Sequence, residues 1–251
     1  MTDTRGTFRL KNVRQDILND EYVPIPNVWI DHKQNVAYQK LYGPAEYKFN
    51  FSTTTTTLAN HLTSLVAGKS YMTGTSNPTH AWYNGGIGPH PTRISNSIKI
   101  TYSNDTSANS PSSRYVNARA NANAVAGQSH TYFVGGDVSP GQYNKLSTIT
   151  KLVYSNDTIS DLPSSYISQP RNKLTTGTSG GTSGYIFGGI TYTTISTTEK
   201  ITFANDTRAS LPGSNMVQFN EGPSGNTVPV WGAGNIHSTT HCYYAGGNSG
   251  G

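Results

Sequence analysis

The sequence predicts an all-β protein built as a β-propeller, a ring of four-stranded sheets, and three observations support this fold class. A unit of about 50 residues recurs along the chain of 251 residues. Each unit contains short apolar stretches separated by turn residues, as in one propeller blade. The composition, with 12% charged residues and 26 glycines, together with many Thr and Tyr residues, suits pleated strands and tight turns rather than helices.

The repeat has two recognisable parts. An apolar run ends in a glycine pair, and a second, alternating run ends in Asn-Asp-Thr. The glycine pairs lie at residues 85–86, 135–136, 188–189 and 246–247, and the Asn-Asp-Thr runs begin at residues 104, 156 and 205. Spacings of 49 to 58 residues with four strand signals per unit match one blade of a kelch-type propeller.

The third unit shows the four strands most clearly, with predicted strands at residues 173–179, 184–189 and 199–204 and a fourth after the turn. The first strand of each unit contains a glycine beside a polar residue. These glycines are Gly74, Gly127, Gly177 and Gly234. Because glycine weakens a strand interior unless a close approach requires it, we expect these strands to lie nearest the axis of a narrow ring.

The strand count predicts four blades. Three units are complete, and the unit with the last glycine pair has two strands. Residues 49–55 align with residues 100–106, and residues 58–65 then predict an outer strand. We therefore expect N-terminal strands to complete the C-terminal blade and close the ring, which removes exposed sheet edges. The alternative is that two chains pool their blades in a larger ring.

Residues 1–45 lie outside the repeat. Two prolines in residues 23–30 indicate an extended segment, since proline is excluded from central strands. The segment has too few apolar residues for a core of its own. The sequence therefore predicts an N-terminal arm, residues 1–45, that packs on the propeller or on another protein, and a propeller of residues 46–251.

Charge and targeting signals narrow the function classes. The net charge is +5, but the sequence has no Lys/Arg run and no nucleic-acid-binding motif, so we expect no nucleic-acid partner. One cysteine, Cys242, excludes an intrachain disulfide. No apolar run approaches the ~20 residues of a membrane span, and the N-terminus does not resemble a signal peptide. We expect synthesis in the cytosol.

The candidate metal ligands in the sequence are better explained by structural roles than by metal binding. His80, His130 and His241 each precede a glycine pair by five residues, but different blades would hold them too far apart for one metal. His237, His241 and Cys242 form a closer candidate group, which flanks a turn between strands and lacks a fourth ligand. The Asn-Asp-Thr runs predict turns, since Asn and Asp side chains bond to nearby backbone, and each supplies one carboxylate, too few for calcium. We expect no metal, no cofactor and no catalytic residue.

Four tyrosines in predicted loops are the candidate ligand contacts. They are Tyr115, Tyr143, Tyr166 and Tyr192, beside Asn, Ser, Thr and Gln residues. Aromatic faces with amide and hydroxyl neighbours suit polar ligands such as glycans. The alternative is that these tyrosines pack between blades.

The motif Tyr-x-x-Gly-Gly, Lys-Leu-x-Tyr-Ser-Asn-Asp-Thr and Leu-Pro-Ser-Ser, clearest at residues 132–136, 151–158 and 162–165, resembles kelch-like repeats in virion structural proteins of tailed bacteriophages, especially those of cyanobacteria. Residues 4–13 and 28–30 are also similar to the N-termini of those proteins.

This resemblance implies a non-enzymatic virion protein, tail or tail-fibre associated, present in several copies and made in the host cytoplasm. Its arm would dock on other virion proteins through residues 1–45, with Phe8, Leu10, Val13 and Trp29 as candidate contacts. Its propeller would serve as a docking platform or host-contacting head. The alternatives are a glycan-binding host-recognition adhesin and a capsid decoration protein.

Overall fold

The computed structural model describes most of the repeat region in full and several strands outside it. The described residues are 28–31, 36–40, 46–50, 55–58, 69–88, 92–139, 144–179, 181–193, 195–215, 219–220, 227–228, 234–237 and 242–245. Side chains are described within residues 69–215. Phe8, Leu10, Val13 and Tyr143 lie outside the described residues.

Four antiparallel four-stranded sheets follow one another along the chain, and each is a meander of consecutive strands. Sheet 1 contains β1 (Val28–Asp31), β2 (Val36–Lys40), β3 (Glu46–Asn50) and β4 (Thr55–Leu58). Sheet 2 contains β5 (Thr73–Ser76), β6 (His80–Asn84), β7 (Ser97–Thr101) and β8 (Thr106–Asn109). Sheet 3 contains β9 (Asn123–Ala126), β10 (His130–Val134), β11 (Ile149–Val153) and β12 (Thr158–Asp161). Sheet 4 contains β13 (Thr175–Ser179), β14 (Ser183–Phe187), β15 (Thr198–Thr202) and β16 (Thr207–Ser210).

Two hairpins follow sheet 4. They are β17 (Phe219–Asn220) with β18 (Thr227–Val228), and β19 (Gly234–His237) with β20 (Cys242–Ala245). One 3-10 turn follows the last strand of each of sheets 2 to 4, at Pro111–Ser113, Pro163–Ser165 and Pro212–Ser214. No helix among the described residues is long and apolar enough to span a membrane.

The sheets are arranged side by side through their first strands. β1 lies beside β5, β5 beside β9, β9 beside β13, and β13 beside β19. The Thr73 hydroxyl in β5 donates to the Ala122 carbonyl at 2.9 Å, and the Thr176 hydroxyl in β13 donates to the Ala124 carbonyl at 2.6 Å. The sheets therefore lie next to one another through their first strands, as the blades of a propeller do. The fold is all-β and propeller-like, as the sequence predicts.

Sheet 1 differs from the predicted closure. The alignment of residues 49–55 with residues 100–106 is confirmed, because β3 and β4 occupy the third and fourth positions of their sheet. However, β3 pairs with β2 on one side and with β4 on the other, so both of its edges are filled. Closure of the C-terminal blade by these strands is therefore not confirmed. The fourth strand of the sheet is Thr55–Leu58, which begins before the predicted outer strand; residues 59–65 of that prediction lie outside the described residues.

The predicted division at residue 45 falls inside sheet 1. β1 and β2 come before that position and pair in register with β3, as in the pairs Val36↔Asn50 and Lys40↔Glu46. β1 begins two residues after Pro26 and lies at the end of its sheet, a position that tolerates nearby prolines because one of its edges is unpaired in the sheet. Residues 28–40 thus belong to the same sheet as residues 46–58.

The glycine pairs have the geometric role that the sequence indicates. Gly135 and Gly136 have φ of +62° and +101°, and Gly85 and Gly86 have +65° and +100°. A Cβ built on Gly135 would lie 2.3 Å from the Arg171 carbonyl oxygen. The left-handed backbone and the close approach of the next connection therefore both require glycine.

The Asn-Asp-Thr runs are turns stabilised by their own side chains, which confirms the second part of the repeat. The Asn104 side-chain oxygen accepts from the Thr106 hydroxyl at 2.8 Å, and the same bond joins Asn156 to Thr158 at 2.7 Å. The central aspartates Asp105, Asp157 and Asp206 have φ of 55° to 57°, a left-handed conformation that Asp tolerates.

Candidate functional site

The antiparallel meanders give the molecule two ends. One end, the glycine-pair face, contains the loops that follow the glycine pairs and the connections that lead into β5, β9 and β13. The other end, the turn face, contains the Asn-Asp-Thr turns and the hairpins between first and second strands. Loops that a rigid scaffold positions commonly carry binding residues, so each end is a candidate binding surface.

Ion pairs near the turn face join each sheet to the next. The Lys99 ammonium in sheet 2 lies 2.6 Å from the Asp157 carboxylate in the turn of sheet 3. Lys151 in sheet 3 lies 2.8 Å from Asp206 in the turn of sheet 4. We call this repeated pair the Lys–Asp clamp. The turn aspartates therefore shape their own turn and also connect to the preceding sheet.

Aromatic side chains accompany both clamps. The Trp82 and Tyr154 rings stack across sheets 2 and 3 with centroids 5.1 Å apart, and the Tyr132 and Phe203 rings stack across sheets 3 and 4 at 5.3 Å. The Tyr132 hydroxyl donates to the Asp206 carboxylate. Burial and the Asp206 carboxylate both raise the pKa of Tyr132. Burial acts to raise the pKa of Asp206, but the hydrogen bonds from Lys151 and Tyr132 lower it below its usual value.

His80 and His130 are part of these interfaces. His80 contacts Trp82 with ring centroids 5.7 Å apart, and His130 contacts Phe203 of the next sheet at 5.4 Å. Burial, followed by the charge of the adjacent clamp lysine, lowers the pKa of both imidazoles. Within the described part of the chain no three His, Cys, Asp or Glu side chains form a metal-binding group. The side chains of His237, His241 and Cys242 lie outside that part.

Two buried arginines join the sheets near the glycine-pair face. The Arg171 carbonyl accepts a hydrogen bond from the Gly136 amide of sheet 3 at 3.0 Å. The Arg171 guanidinium lies 2.6 Å from the Glu199 carboxylate of sheet 4. Arg119 donates to the hydroxyls of Thr148 and Thr150 at 2.7 and 2.5 Å. Each arginine thus links two neighbouring sheets through its carbonyl and its side chain.

The large apolar side chains that remain exposed lie on the glycine-pair face. Within residues 69–215 they are Tyr71 (49% exposed), Val116 (65%), Val138 (38%) and Tyr192 (63%). Tyr71 precedes β5, Val116 lies between sheets 2 and 3, and Val138 and Tyr192 lie in loops after glycine pairs. Exposed apolar groups that gather on one side of a protein indicate an interaction surface.

A buried polar network lies under this face. Asp137 directly follows the glycine pair of sheet 3, and its carboxylate accepts from Arg93 at 2.5 and 2.7 Å. The same carboxylate accepts from the side-chain amides of Asn121 at 2.6 Å and Asn172 at 2.9 Å. Asp137 is 3% exposed. Its partners come from sheet 2 and from the connections into β9 and β13, so one carboxylate joins three units.

Three residues with left-handed backbone surround the same point. Tyr71, Asn121 and Lys173 occupy equivalent positions two residues before β5, β9 and β13, with φ of 54°, 53° and 52°. The Asn121 amide donates to the Tyr71 carbonyl at 3.3 Å, and the Lys173 amide donates to the Asn121 carbonyl at 3.2 Å. Non-glycine residues in this conformation cost about 1–3 kcal/mol each and are frequent at functional sites. We call these three residues the axial triad.

The four tyrosines predicted as candidate ligand contacts have different environments. Tyr192 is exposed on the glycine-pair face. Tyr115 is 2% exposed, because its ring packs edge-on against Phe133 and beneath the Arg119 guanidinium, 4.0 Å from the ring centroid. Tyr115 is therefore a packing residue, not a surface contact. Tyr166 is half-buried, and Tyr143 is outside the described residues.

The candidate virion contacts stay predictions. Phe8, Leu10 and Val13 are outside the described residues. Trp29 lies in β1, opposite Tyr38 of β2, and its side chain is outside the described part.

The Asp137 network was not anticipated from the sequence, although a signal for it exists. The residue after the glycine pair is Ile87 in sheet 2, Asp137 in sheet 3 and Ile190 in sheet 4. A charged residue at a position that is otherwise apolar distinguishes this unit from its neighbours. Comparison of the repeats, residue by residue, would have identified it.

Comparisons with known proteins support the fold. No protein-family model matches the chain, and no curated protein matches its sequence. The solved structure of YjhT is similar, with a TM-score of 0.64 and 13% sequence identity, over 90% of this chain and 74% of that chain. The structural similarity supports the all-β, propeller-like fold. At this low sequence identity it says nothing about activity.

Proposed function

We infer that this protein is a non-enzymatic virion structural protein of a tailed bacteriophage, in the tail or a tail fibre, whose propeller-like body presents the glycine-pair face to a partner. The virion assignment rests on the repeat motif and on the resemblance of residues 4–13 and 28–30 to virion proteins. Under this proposal the protein is made in the host cytoplasm, and several copies join the particle.

The observation that carries the contact role is the placement of the exposed apolar side chains. Tyr71, Val116, Val138 and Tyr192 all lie on the glycine-pair face, whereas two lysine–aspartate pairs near the turn face join neighbouring sheets. A protein whose sheets are joined by ion pairs, and which exposes apolar side chains on one face, suits a docking platform or a host-contacting head.

Particle assembly in host cells tests the virion role. A chain lacking residues 1–27 keeps every described strand, so it separates the arm from sheet 1 more cleanly than a deletion to residue 40 or 45. We expect this variant to fold with an unchanged melting temperature and to be lost from purified particles. Unchanged incorporation would contradict docking through Phe8, Leu10 and Val13, and detection on the head rather than the tail would favour the capsid decoration alternative.

A glycan-binding adhesin is the second candidate, because Tyr71 and Tyr192 present two exposed aromatic rings on one face, and aromatic rings suit polar ligands such as glycans. A glycan array probed with the intact protein separates the two functions. Binding that is lost in Tyr71→Ala and Tyr192→Ala supports the adhesin. The absence of binding leaves the structural role as the better account.

Closure of the ring is part of the proposal. Because sheet 1 has four strands of its own, the proposed ring contains sheets 1 to 4 and places β19–β20 as a fifth unit beside β13. The four-blade ring expected from the sequence would require β3 to pair elsewhere. Light scattering distinguishes closure within one chain, which predicts a mass of 27.0 kDa, from closure between two chains, which predicts twice that mass.

A further inference from the structure

The hairpin β19–β20 has the position of the first two strands of a fifth sheet. β19 lies beside β13, as β13 lies beside β9, and β20 directly precedes a glycine pair, as β6, β10 and β14 do. In sheets 1 to 4 the second strand pairs with a third strand on its other side. Among the described strands, β20 pairs with β19 alone. The edge of β20 that corresponds to a third strand is therefore the place where a further strand can add.

The register of the four complete sheets shows what a third strand requires. The middle residue of every third strand is a lysine, and it lies directly opposite an aromatic residue in the middle of the second strand. The four pairs are Tyr38↔Lys48, Trp82↔Lys99, Tyr132↔Lys151 and Tyr185↔Lys200. The residue after each lysine is apolar, and those of sheets 2 to 4 are fully buried: Ile100, Leu152 and Ile201. A basic residue followed by a large apolar residue thus identifies a third strand.

The cation at this position has a physical role. The Lys99 ammonium lies 5.4 Å from the centroid of the Trp82 ring, and that of Lys151 lies 5.7 Å from the Tyr132 ring. These distances allow a cation–π contact. Residues directly opposite one another in this way are the pairs that stabilise a sheet.

β20 has the matching aromatic residue. In sheets 2 to 4 the aromatic residue lies three positions before the glycine pair, and Tyr243 lies three positions before Gly246. The residue before it is small or a threonine in sheets 2 to 4, and it is Cys242 in β20. A strand that adds to β20 in the register of the other sheets therefore places a cation opposite Tyr243 and a large apolar residue opposite Cys242.

Residues 7–11 of the N-terminal arm have the pattern of a third strand. They read Thr-Phe-Arg-Leu-Lys, in which apolar and polar residues alternate as in a strand with one buried face. Outside the described residues, Arg9 is the only Lys or Arg that a large apolar residue follows. With Arg9 opposite Tyr243 in antiparallel pairing, Leu10 lies opposite Cys242.

The arm and the edge of β20 belong to opposite ends of the series of sheets. The arm leads into β1 of sheet 1, and contacts between first strands run from β1 through β5, β9 and β13 to β19. Among the described strands, none of sheet 1 has a comparable contact with β19 or β20. A head-to-tail arrangement brings the arm of one copy beside the edge of the next. Such heterologous contacts join many copies into a ring or a filament.

We propose that residues 7–11 of one copy add to β20 of a neighbouring copy as an antiparallel strand, with Arg9 opposite Tyr243. Backbone hydrogen bonds along the edge give strand addition its affinity, and alternate side chains give it specificity. The added strand also covers an edge that would otherwise invite unspecific pairing. The inference rests on the proposed docking role of the arm and names its partner, which is the next copy of the same protein.

Disulfide cross-linking between two chains tests this exchange, because Cys242 is the only cysteine of the chain. One chain carries Leu10→Cys with Cys242→Ser, and the other is the wild type, so each has a single thiol. We expect mild oxidation of the mixture to give a product with twice the mass of 27.0 kDa that a reducing agent separates. Peptide mapping should join position 10 of one chain to Cys242 of the other.

The matched control carries Lys11→Cys with Cys242→Ser. It moves the thiol by one residue and therefore to the other face of the strand, so we expect about fivefold less mixed product or lower. The exchange is overturned if no mixed product forms, or if the two variants cross-link equally. It is also overturned if Leu10→Cys with Cys242 retained forms its disulfide within one chain only.

A labelled peptide gives a second measurement that does not depend on disulfide geometry. The peptide of residues 4–14 should bind the intact protein in a fluorescence anisotropy titration. Leu10→Asp in the peptide should weaken binding about tenfold or more, because it removes a large apolar side chain from a buried position. Arg5→Gln, outside residues 7–11, is the control and should change affinity less than about twofold. A peptide that does not bind, or equal effects of the two changes, would contradict the proposed pairing.

The exchange and the docking role of the arm fail separately. If the mixed disulfide forms but a chain lacking residues 1–27 still joins the particles, the exchange stands and the docking role is wrong. If that chain is lost from the particles while no mixed disulfide forms, the arm docks on a different virion protein and the exchange is wrong.

Discussion

The turn face and the glycine-pair face are built from the same repeat, yet they use their polar residues differently. Near the turn face, Lys99 and Lys151 each find one aspartate of the next sheet, and the pattern repeats with little change. On the glycine-pair face, Asp137 replaces an apolar residue in one unit, cations outnumber acids, and apolar side chains remain exposed. Residues that repeat from sheet to sheet thus hold neighbouring sheets together. Residues that differ between the repeats lie on the face that we propose for contact with a partner.

The largest effect is expected at the buried arginine that joins sheets 3 and 4. Arg171 and Glu199 are 0% and 1% exposed at their side chains, so Arg171→Met leaves a buried carboxylate whose remaining cation is the partly exposed Arg208, at 3.3 Å. We expect a loss of about 3–5 kcal/mol in the free energy of unfolding, measured by urea denaturation. Arg114→Met, at an exposed cation, is the control and should stay within about 0.5 kcal/mol. Equal effects would mean that the buried pair has no special role.

A glycine pair provides the next largest effect. Gly135→Ala places a Cβ 2.3 Å from the Arg171 carbonyl oxygen at a φ of +62°, and the left-handed backbone alone costs about 1–2 kcal/mol. We therefore expect a loss of at least about 2 kcal/mol in the same denaturation experiment, because the clash adds to this cost. Gly213→Ala is the matched control, since a Cβ there meets nothing within 4 Å. A tolerated Gly135→Ala would contradict the geometric role of the pair.

A Lys–Asp clamp should contribute less. The Lys151 and Asp206 side chains are 19% and 33% exposed, so solvent screens the pair and Lys151→Met should cost about 1 kcal/mol or less. The pKa of Asp206 is lowered in the folded state. Its contribution is therefore present above the unfolded pKa and is lost as pH falls through the folded pKa. The difference in stability between the wild type and the variant should therefore begin to shrink as the pH falls below ~4 and should vanish once the pH lies below the lowered pKa of Asp206. A difference that does not shrink over this range would contradict the linkage.

The smallest effect concerns the two histidines at the sheet interfaces. The pKa values of His80 and His130 are lowered on folding, so the unfolded chain binds protons more readily, and stability decreases as pH falls below about 6.5. Replacement of both by Gln should flatten the melting temperature between about pH 7 and pH 5. An unchanged slope would show that other groups control this range.

Local features of the fold were predictable because a few neighbouring residues determine them. The Asn-Asp-Thr turns follow from side-chain bonds over two residues, and the glycine pairs follow from a backbone conformation that glycine alone adopts readily. Their recurrence about every 50 residues made the all-β, propeller-like fold predictable from the sequence.

Features that depend on contacts between distant residues were not predictable in the same way. Tyr115 and Tyr192 both lie in polar loops, but Tyr115 is buried because Arg119 and Phe133 cover it, whereas Tyr192 remains exposed. Likewise, the pairing of β3 with β2 rather than with a C-terminal strand depends on a segment that lacks the repeat motif. Composition cannot distinguish these outcomes.

The most direct test of the difference between the two faces measures attachment and stability in the same pair of variants. One variant carries Tyr71→Ala and Tyr192→Ala on the glycine-pair face, and the other carries Lys151→Met at a clamp. Particles carrying each variant are assayed for attachment to host cells, and each purified protein is assayed for its melting temperature. We predict that the tyrosine variant loses attachment with an unchanged melting temperature, while the clamp variant melts lower and attaches normally. The proposed difference between the faces would be contradicted if particles with the tyrosine variant attached normally. It would also be contradicted if particles with the clamp variant failed to attach at a temperature where that variant is folded.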